Sequence, residues 1–125
     1  MKLFWVCAGG AFGSGARYLV SLLALRLFGT SFPGGTFFVN IVGSFLLCLL
    51  MELGLSSEVL TPTVRITLAT GFLGGFTTYS TFNYETINYL RDGAWLVGTL
   101  NILLTVSVCL AAGYAGIATA HALAR

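Results

Sequence analysis

Apolar residues dominate four stretches of the chain, and each is separated from the next by a short polar or turn-forming segment. The first runs from about Leu3 to Leu27. The second runs from about Phe37 to Leu53, after SFPGGT. The third runs from about Ile66 to Leu90, after SSEVLTPTVR, and the fourth from about Ala94 to Leu123, after RDG. A helix crosses the hydrocarbon core of a bilayer with about 20 mostly apolar residues. The first stretch must include Arg17 to reach that length, because the uncharged run from Leu3 to Ala16 is too short to cross comfortably. The connections leave no room for a soluble domain, and no internal repeat or low-complexity segment interrupts them. The pattern predicts an all-α membrane protein: a single transmembrane domain over residues 1–125, with four transmembrane helices and both termini on the same side.

Composition agrees. Of the 125 residues, 57% are hydrophobic and 8% charged, with a mean hydropathy of +0.92. An ordinary soluble domain carries about 25% charged residues, so these few charges could not cover a soluble surface of this size. The net charge of +2 is scattered, and the absence of a basic patch excludes nucleic acid as a partner. Cys7, Cys48 and Cys109 form neither a CxxC nor a Cys/His pair, which argues against a disulfide framework or a zinc site. They read as small buried residues in helices. The N-terminal MKLFWVCAGGAFG has the basic-then-apolar start of a secretory leader, but Arg17 interrupts it and the apolar pattern resumes with YLVSLLAL, so it is read as part of the first span.

Orientation in a membrane follows the excess of Lys and Arg on cytoplasmic loops. Here Lys2, Arg65 and Arg125 on one side oppose Arg26 and Arg91 on the other, which is almost no bias. A chain without bias can insert both ways up, and two opposite copies could then pack as an antiparallel dimer. The alternative is one orientation set by other features. Small-residue rows, in Gly9-Gly10-Ala11-Phe12-Gly13 and at Ala112, Gly116 and Ala120, permit close helix approach without naming a partner surface.

Polar residues inside apolar spans are where chemistry is expected. A bare arginine at Arg17 would cost about 2.5–3.5 kcal/mol at a helix centre, so it must snorkel, pair or line water. Asn40 is either an interhelical hydrogen-bonding residue or a donor aimed into a pore. Asn101, Thr105 and Cys109 recur every four residues and share one helical face; the row either lines a water path or joins helices. The third span carries GFLGGFTTYSTFNYE over residues 71–85. Gly71, Gly74 and Gly75 weaken a helix there, and Thr77, Thr78, Ser80 and Thr81 can bond the carbonyls that a break frees. Broken membrane helices survive where protein or a wet cavity protects the backbone, and they commonly make ion sites. Phe76, Tyr79 and Phe82, three residues apart, should bring their rings together along one face. Such rings are either core or lipid-facing aromatics, or they present positive edges that hold a small anion without trapping it.

These segments resemble a known family. GGAFGSGARY, GTFFVNIVGSFLL and GFLGGFTTYSTFNYE are similar to the fluoride channel family called Fluc or CrcB, over essentially the whole chain. The resemblance implies a passive fluoride-selective channel of the cell inner membrane that exports fluoride and relieves its toxicity. It implies an antiparallel, dual-topology homodimer with a broken third helix and two fluoride pathways. It also implies a central structural sodium ion, held by the backbone carbonyls of Gly74 and Thr77. The pore phenylalanines of the family match Tyr79, where this chain departs, and Phe82. The pore asparagine matches Asn40. The polar row matches Asn101, Thr105 and Cys109, with Asn101 and Cys109 departing from the usual hydroxyl or tyrosine. Ser80 and Thr81 add donors along the way. Glu85 and Arg17 match an acidic and a basic position of unassigned role.

The rival reading is a small multidrug-resistance-type exporter, also four spans with dual topology. That resemblance needs an acid embedded in the first helix, where this chain has Arg17 and no Asp or Glu. A structural subunit would leave the third motif unexplained. An enzyme is not expected: the single histidine, His121, lies near the C-terminus and no nucleophile–base pair is apparent.

Overall fold

The structure, a computed structural model, describes residues 1–56 and 60–124; Glu58 and Arg125 lie outside the described residues. The described residues form helices joined by short turns. Helix α1 spans Lys2–Phe28 and α2 spans Gly34–Ser56. The third segment is composite. It has a short α3 at Pro62–Ile66, a π-helical stretch at Thr67–Leu73, one turn of α4 at Gly74–Phe76, and α5 at Tyr79–Arg91. Helix α6 spans Trp95–Leu123.

Local chemistry sets the ends. Gly29 (φ 68°) closes α1 and Gly93 (φ 80°) closes α5, each in the left-handed region that glycine enters without a Cβ clash. Thr61 opens α3 by accepting the Val64 N–H on its side-chain oxygen at 3.3 Å, with Pro62 at the first helical position.

Side-chain contacts fix the order of the ends. Lys2 and Arg65 line one cavity, so the start of α1 meets the start of the third segment. Leu25 and Tyr89 line another, at the opposite end of α1. His121 Nε2 stands 2.7 Å from Glu52 Oε1 and joins the ends of α6 and α2. Helix α2 packs most extensively on α6, and α1 packs on the π-helical stretch and α4.

The glycine rows are used inside the chain. A Cβ on Gly13 would collide with the Phe72 carbonyl oxygen, and one on Gly116 with the Phe45 carbonyl oxygen. The rows expected to favour association therefore seat α1 on the third segment and α6 on α2. The same holds for the glycines of the third motif. Gly71 and Gly75 remain helical, and a Cβ there would stand 2.8 Å from Val6 O and 2.6 Å from Gly10 O. They allow close approach to α1 and do not themselves end the helix.

The interior is small. Its buried hydrophobic residues are Val39, Leu73, Phe76, Phe82 and Ala120, while Leu3, Phe12, Leu19, Leu103 and Leu110 are exposed. Lipid is as apolar as leucine, so a membrane fold needs no thick core and is held by packing and hydrogen bonds. Among the described residues two helices, over Gly34–Leu55 and Trp95–Leu123, are each long and apolar enough to cross a membrane. The cysteines differ from expectation: Cys7 is exposed and Cys48 and Cys109 are half-buried, all three free. In a thin bundle, few helix positions have neighbours on every side.

Candidate functional site

Helical geometry stops at Thr77 (φ −81°, ψ 160°) and Thr78 (φ −153°, ψ 110°), and resumes at Tyr79. Asn40 of α2 occupies the gap. Its Nδ2 donates to Thr78 O at 3.0 Å, and its Oδ1 accepts the Thr78 N–H at 2.8 Å. One amide side chain thus satisfies both polar groups of a buried extended residue, as a neighbouring strand would. The pairing uses one of the two hydrogens of the Asn40 amide. Gly43, one turn along α2, has no Cβ because one would collide with Thr77 Cγ2.

The break redirects N–H groups that a continuous helix would send to the carbonyl four residues back. The Thr78 N–H goes to Asn40 and not to Gly74 O. The Thr81 N–H goes to Thr78 Oγ1 at 3.2 Å and not to Thr77 O, so Thr78 is the N-cap of α5. The Gly75 carbonyl accepts Arg17 Nε at 2.9 Å. Arg17 therefore pairs with backbone at the break, one of the three outcomes open to it in the sequence. The hydroxyls were expected to bond freed carbonyls, but Thr77 donates at 2.9 Å to Leu73 O, which still accepts the Thr77 N–H at 3.0 Å and so is not one of them. Thr78 instead donates to Thr81 Oγ1 at 2.9 Å.

Beside the break lies a groove of about 300 Å³. Its walls include Asn40, Ser44, Tyr79, Phe82, Thr105 and Cys109, and none of its lining residues is charged. Tyr79 is 77% exposed and Phe82 8% exposed, with ring centroids 5.7 Å apart and planes tilted by 56°. Phe76 does not join them. The break turns it away, and it stacks on Phe72 at 6.0 Å. The expected row of three rings is therefore a pair.

The polar row of α6 divides. Thr105 and Cys109 face the groove. Asn101 is buried behind it, donating from Nδ2 to Thr86 Oγ1 at 2.9 Å and accepting from the Thr105 hydroxyl at 3.4 Å. Thr86 in turn donates to Phe82 O at 2.8 Å. Asn101 thus joins α6 to α5 and anchors the backbone beneath Phe82. Thr81 faces a second cavity, and Ser80 Oγ stands 3.4 Å from Thr78 Oγ1. Since Thr81 Oγ1 accepts from Thr78, its own hydroxyl hydrogen is left over for another acceptor.

Sequence reasoning missed Ser44, Thr78 as a cap, and Thr86. Ser44 carried a legible signal, since it sits one turn from Asn40 and donates to its carbonyl at 2.6 Å. The π-helical stretch had none.

An all-helical membrane protein with a groove of uncharged polar side chains and aromatic rings beside an interrupted helix is the class these features define. The sequence model described as "CrcB-like protein, Camphor Resistance (CrcB)" matches residues 4–117. The chain belongs to the CrcB family. It is 53% identical over 114 residues to the "Fluoride-specific ion channel FluC" of Anaeromyxobacter dehalogenans, covering 91% of this chain and 90% of that one. It is 48% identical over 122 residues to the protein of that name from Sorangium cellulosum, covering 98% and 96%. It is 45% identical over 122 residues to that of Geobacter sp. strain M21, covering 98% of each.

Proposed function

We propose that this chain is a fluoride-selective channel that lets fluoride leave the cell passively across the inner membrane, with no catalytic step. The observation that carries the reading is the match of nearly the whole chain to proteins named fluoride-specific ion channels. The geometry supplies a mechanism. Fluoride is small and strongly hydrated, so it crosses only where donors replace its water. The second Asn40 hydrogen, the hydroxyls of Thr81, Ser80 and Tyr79, and the edges of Tyr79 and Phe82 are donors of that kind. No charged side chain lines the groove to hold the ion once bound, as conduction requires. Exclusion of a larger anion would rest on the pathway being narrowed when a second copy closes the groove.

The functional unit is an antiparallel homodimer with every segment crossing the membrane. Supporting it, Lys2 and Arg65 at one end oppose Arg26 and Arg91 at the other, and the groove is open along Tyr79 in the single chain. A central sodium ion fits the residues present. Gly74 O and Thr77 O are the two carbonyls whose helical donors Asn40 and Thr78 take away, and unwound carbonyls suit sodium. Among the described residues no three His, Cys, Asp or Glu side chains come together, so neutral oxygens are the ligands on offer. The ion would fix the two breaks of a dimer against each other.

Purified protein in liposomes loaded with potassium fluoride and potassium chloride should release fluoride and retain chloride, read with two ion-selective electrodes. Equal release of both anions, or of neither, overturns the channel reading. Orientation is tested separately. A single cysteine in the Asp92–Gly93 turn, with Cys7, Cys48 and Cys109 replaced, should be labelled from both faces of the membrane; labelling from one face only refutes dual insertion.

A further inference from the structure

Among the described residues one buried side-chain oxygen has no hydrogen-bond partner, Oε2 of Glu85. The other oxygen, Oε1, accepts the hydroxyl of buried Thr36 at 2.8 Å. Glu85 stands one turn beyond Thr81 on α5. With Thr36 and Ser21 these residues line a cavity of about 420 Å³ near the α1–α2 turn. Thr81 also bonds Thr78 at the break, so this cavity adjoins the Asn40 network.

The surroundings offer nothing to balance a negative charge. From α1 come Ser21, Ala24 and Leu25, from the turn and α2 Phe32 and Thr36, and from α5 Thr81 and Tyr89. Among the described residues Tyr89 is the only other titratable side chain lining the cavity. Arg17, one turn from Ser21, sends its Nε to Gly75 O. Oε2 is closed off within a single chain, so a second copy cannot reach it with a donor. A carboxylate oxygen left bare in such a place is costly, whereas a neutral acid is far less so.

We propose that Glu85 carries a proton on Oε2, and that this proton keeps the cavity leading to Thr81 neutral and open to anions. The proposal rests on the anion-channel reading above. Ionisation transfers the proton to hydroxide in the aqueous phase, giving water and leaving the electron pair on the carboxylate. The cavity then holds a fixed negative charge in half-buried surroundings and repels fluoride. Glu85 is thus a charge-controlling residue of the pathway and not a ligand.

The test is the initial rate of fluoride efflux from liposomes holding the full-length protein, in symmetric buffers from about pH 7 to about pH 10. On this alkaline side hydrogen fluoride is negligible and leak through lipid does not interfere. Wild-type flux should fall by about tenfold or more. Glu85→Gln, which keeps an oxygen for Thr36 and is neutral throughout, should match wild type at neutral pH and stay level. A flat wild-type profile, or a parallel fall in Glu85→Gln, overturns the proposal. Infrared spectroscopy of the wild type covers the case in which the variant does not fold. The carbonyl stretch of a protonated carboxyl should be present at neutral pH and vanish on alkaline titration, and its absence at neutral pH overturns the proposal. If the wild type passes no fluoride at neutral pH, the channel reading fails, and the infrared band alone decides whether the proton is there.

Discussion

Asn40→Leu should abolish fluoride efflux, by about a hundredfold or more at matched incorporation, which corresponds to about 2.7 kcal/mol. Leucine shares the branched outline of asparagine, though it is bulkier, and can neither donate to Thr78 O nor accept from Thr78 N–H. Thr78 is 8% exposed, and leaving a buried backbone group unpaired costs about 1–3 kcal/mol. The chain can escape that cost by re-forming the helix, sending the Thr78 N–H back to Gly74 O. Doing so consumes Gly74 O, one of the two carbonyls proposed above for a sodium ion, and swings Tyr79 and Phe82 about the helix axis. Both routes destroy the pathway. Asn40→Asp separates the two halves of the interaction. It keeps the acceptor for Thr78 N–H, loses the donor, and adds a negative charge to a groove that has none, so it should also be inactive while retaining more of the fold. Efflux traces and the fraction of protein eluting as a single species in detergent are the measurements. An Asn40→Leu protein that conducts within about threefold of wild type would show that the break does not depend on this side chain.

Tyr79→Phe and Phe82→Ile should differ sharply, although the two residues are neighbours in the same groove. Tyr79→Phe retains the ring edge and should keep fluoride flux within about threefold. Phe82→Ile removes the edge and should lower flux by about tenfold or more. Part of the second effect is structural, because Phe82 is buried and isoleucine leaves some of its volume unfilled. That part should be modest: the segment is held from behind by Thr86 donating to Phe82 O and by Asn101 donating to Thr86. Flux per folded protein, with incorporation measured for each variant, separates the two contributions. A dead Tyr79→Phe beside a normally conducting Phe82→Ile would mean that the tyrosine hydroxyl, and not the ring edges, carries the ion.

The chain by itself determined where its helices run. Leu3–Leu27 was expected and Lys2–Phe28 is found; Ala94–Leu123 was expected and Trp95–Leu123 is found. In lipid, helix formation follows local apolarity, because no water is present to satisfy an open backbone, so boundaries are written where polar residues and glycine turns fall. Phe37–Leu53 was short at both ends, since α2 begins at Gly34 and runs to Ser56. Its opening glycines argue against helix by propensity, but Gly35 lies close against Ser21 of α1, and packing outweighs about 1 kcal/mol of propensity.

The break and its neighbourhood could only be decided by tertiary structure. Propensity pointed at Gly71, Gly74 and Gly75, yet these stay helical, and two threonines leave the helix because Asn40, 38 residues away, pairs with one of them. The same break parts Phe76 from Tyr79. Burial likewise divided the polar row of α6, drawing Asn101 into the packing and leaving Thr105 and Cys109 at the groove. A side chain competes with the helix for a backbone hydrogen bond only if the fold carries it there, and spacing along one segment records nothing of what a distant segment brings.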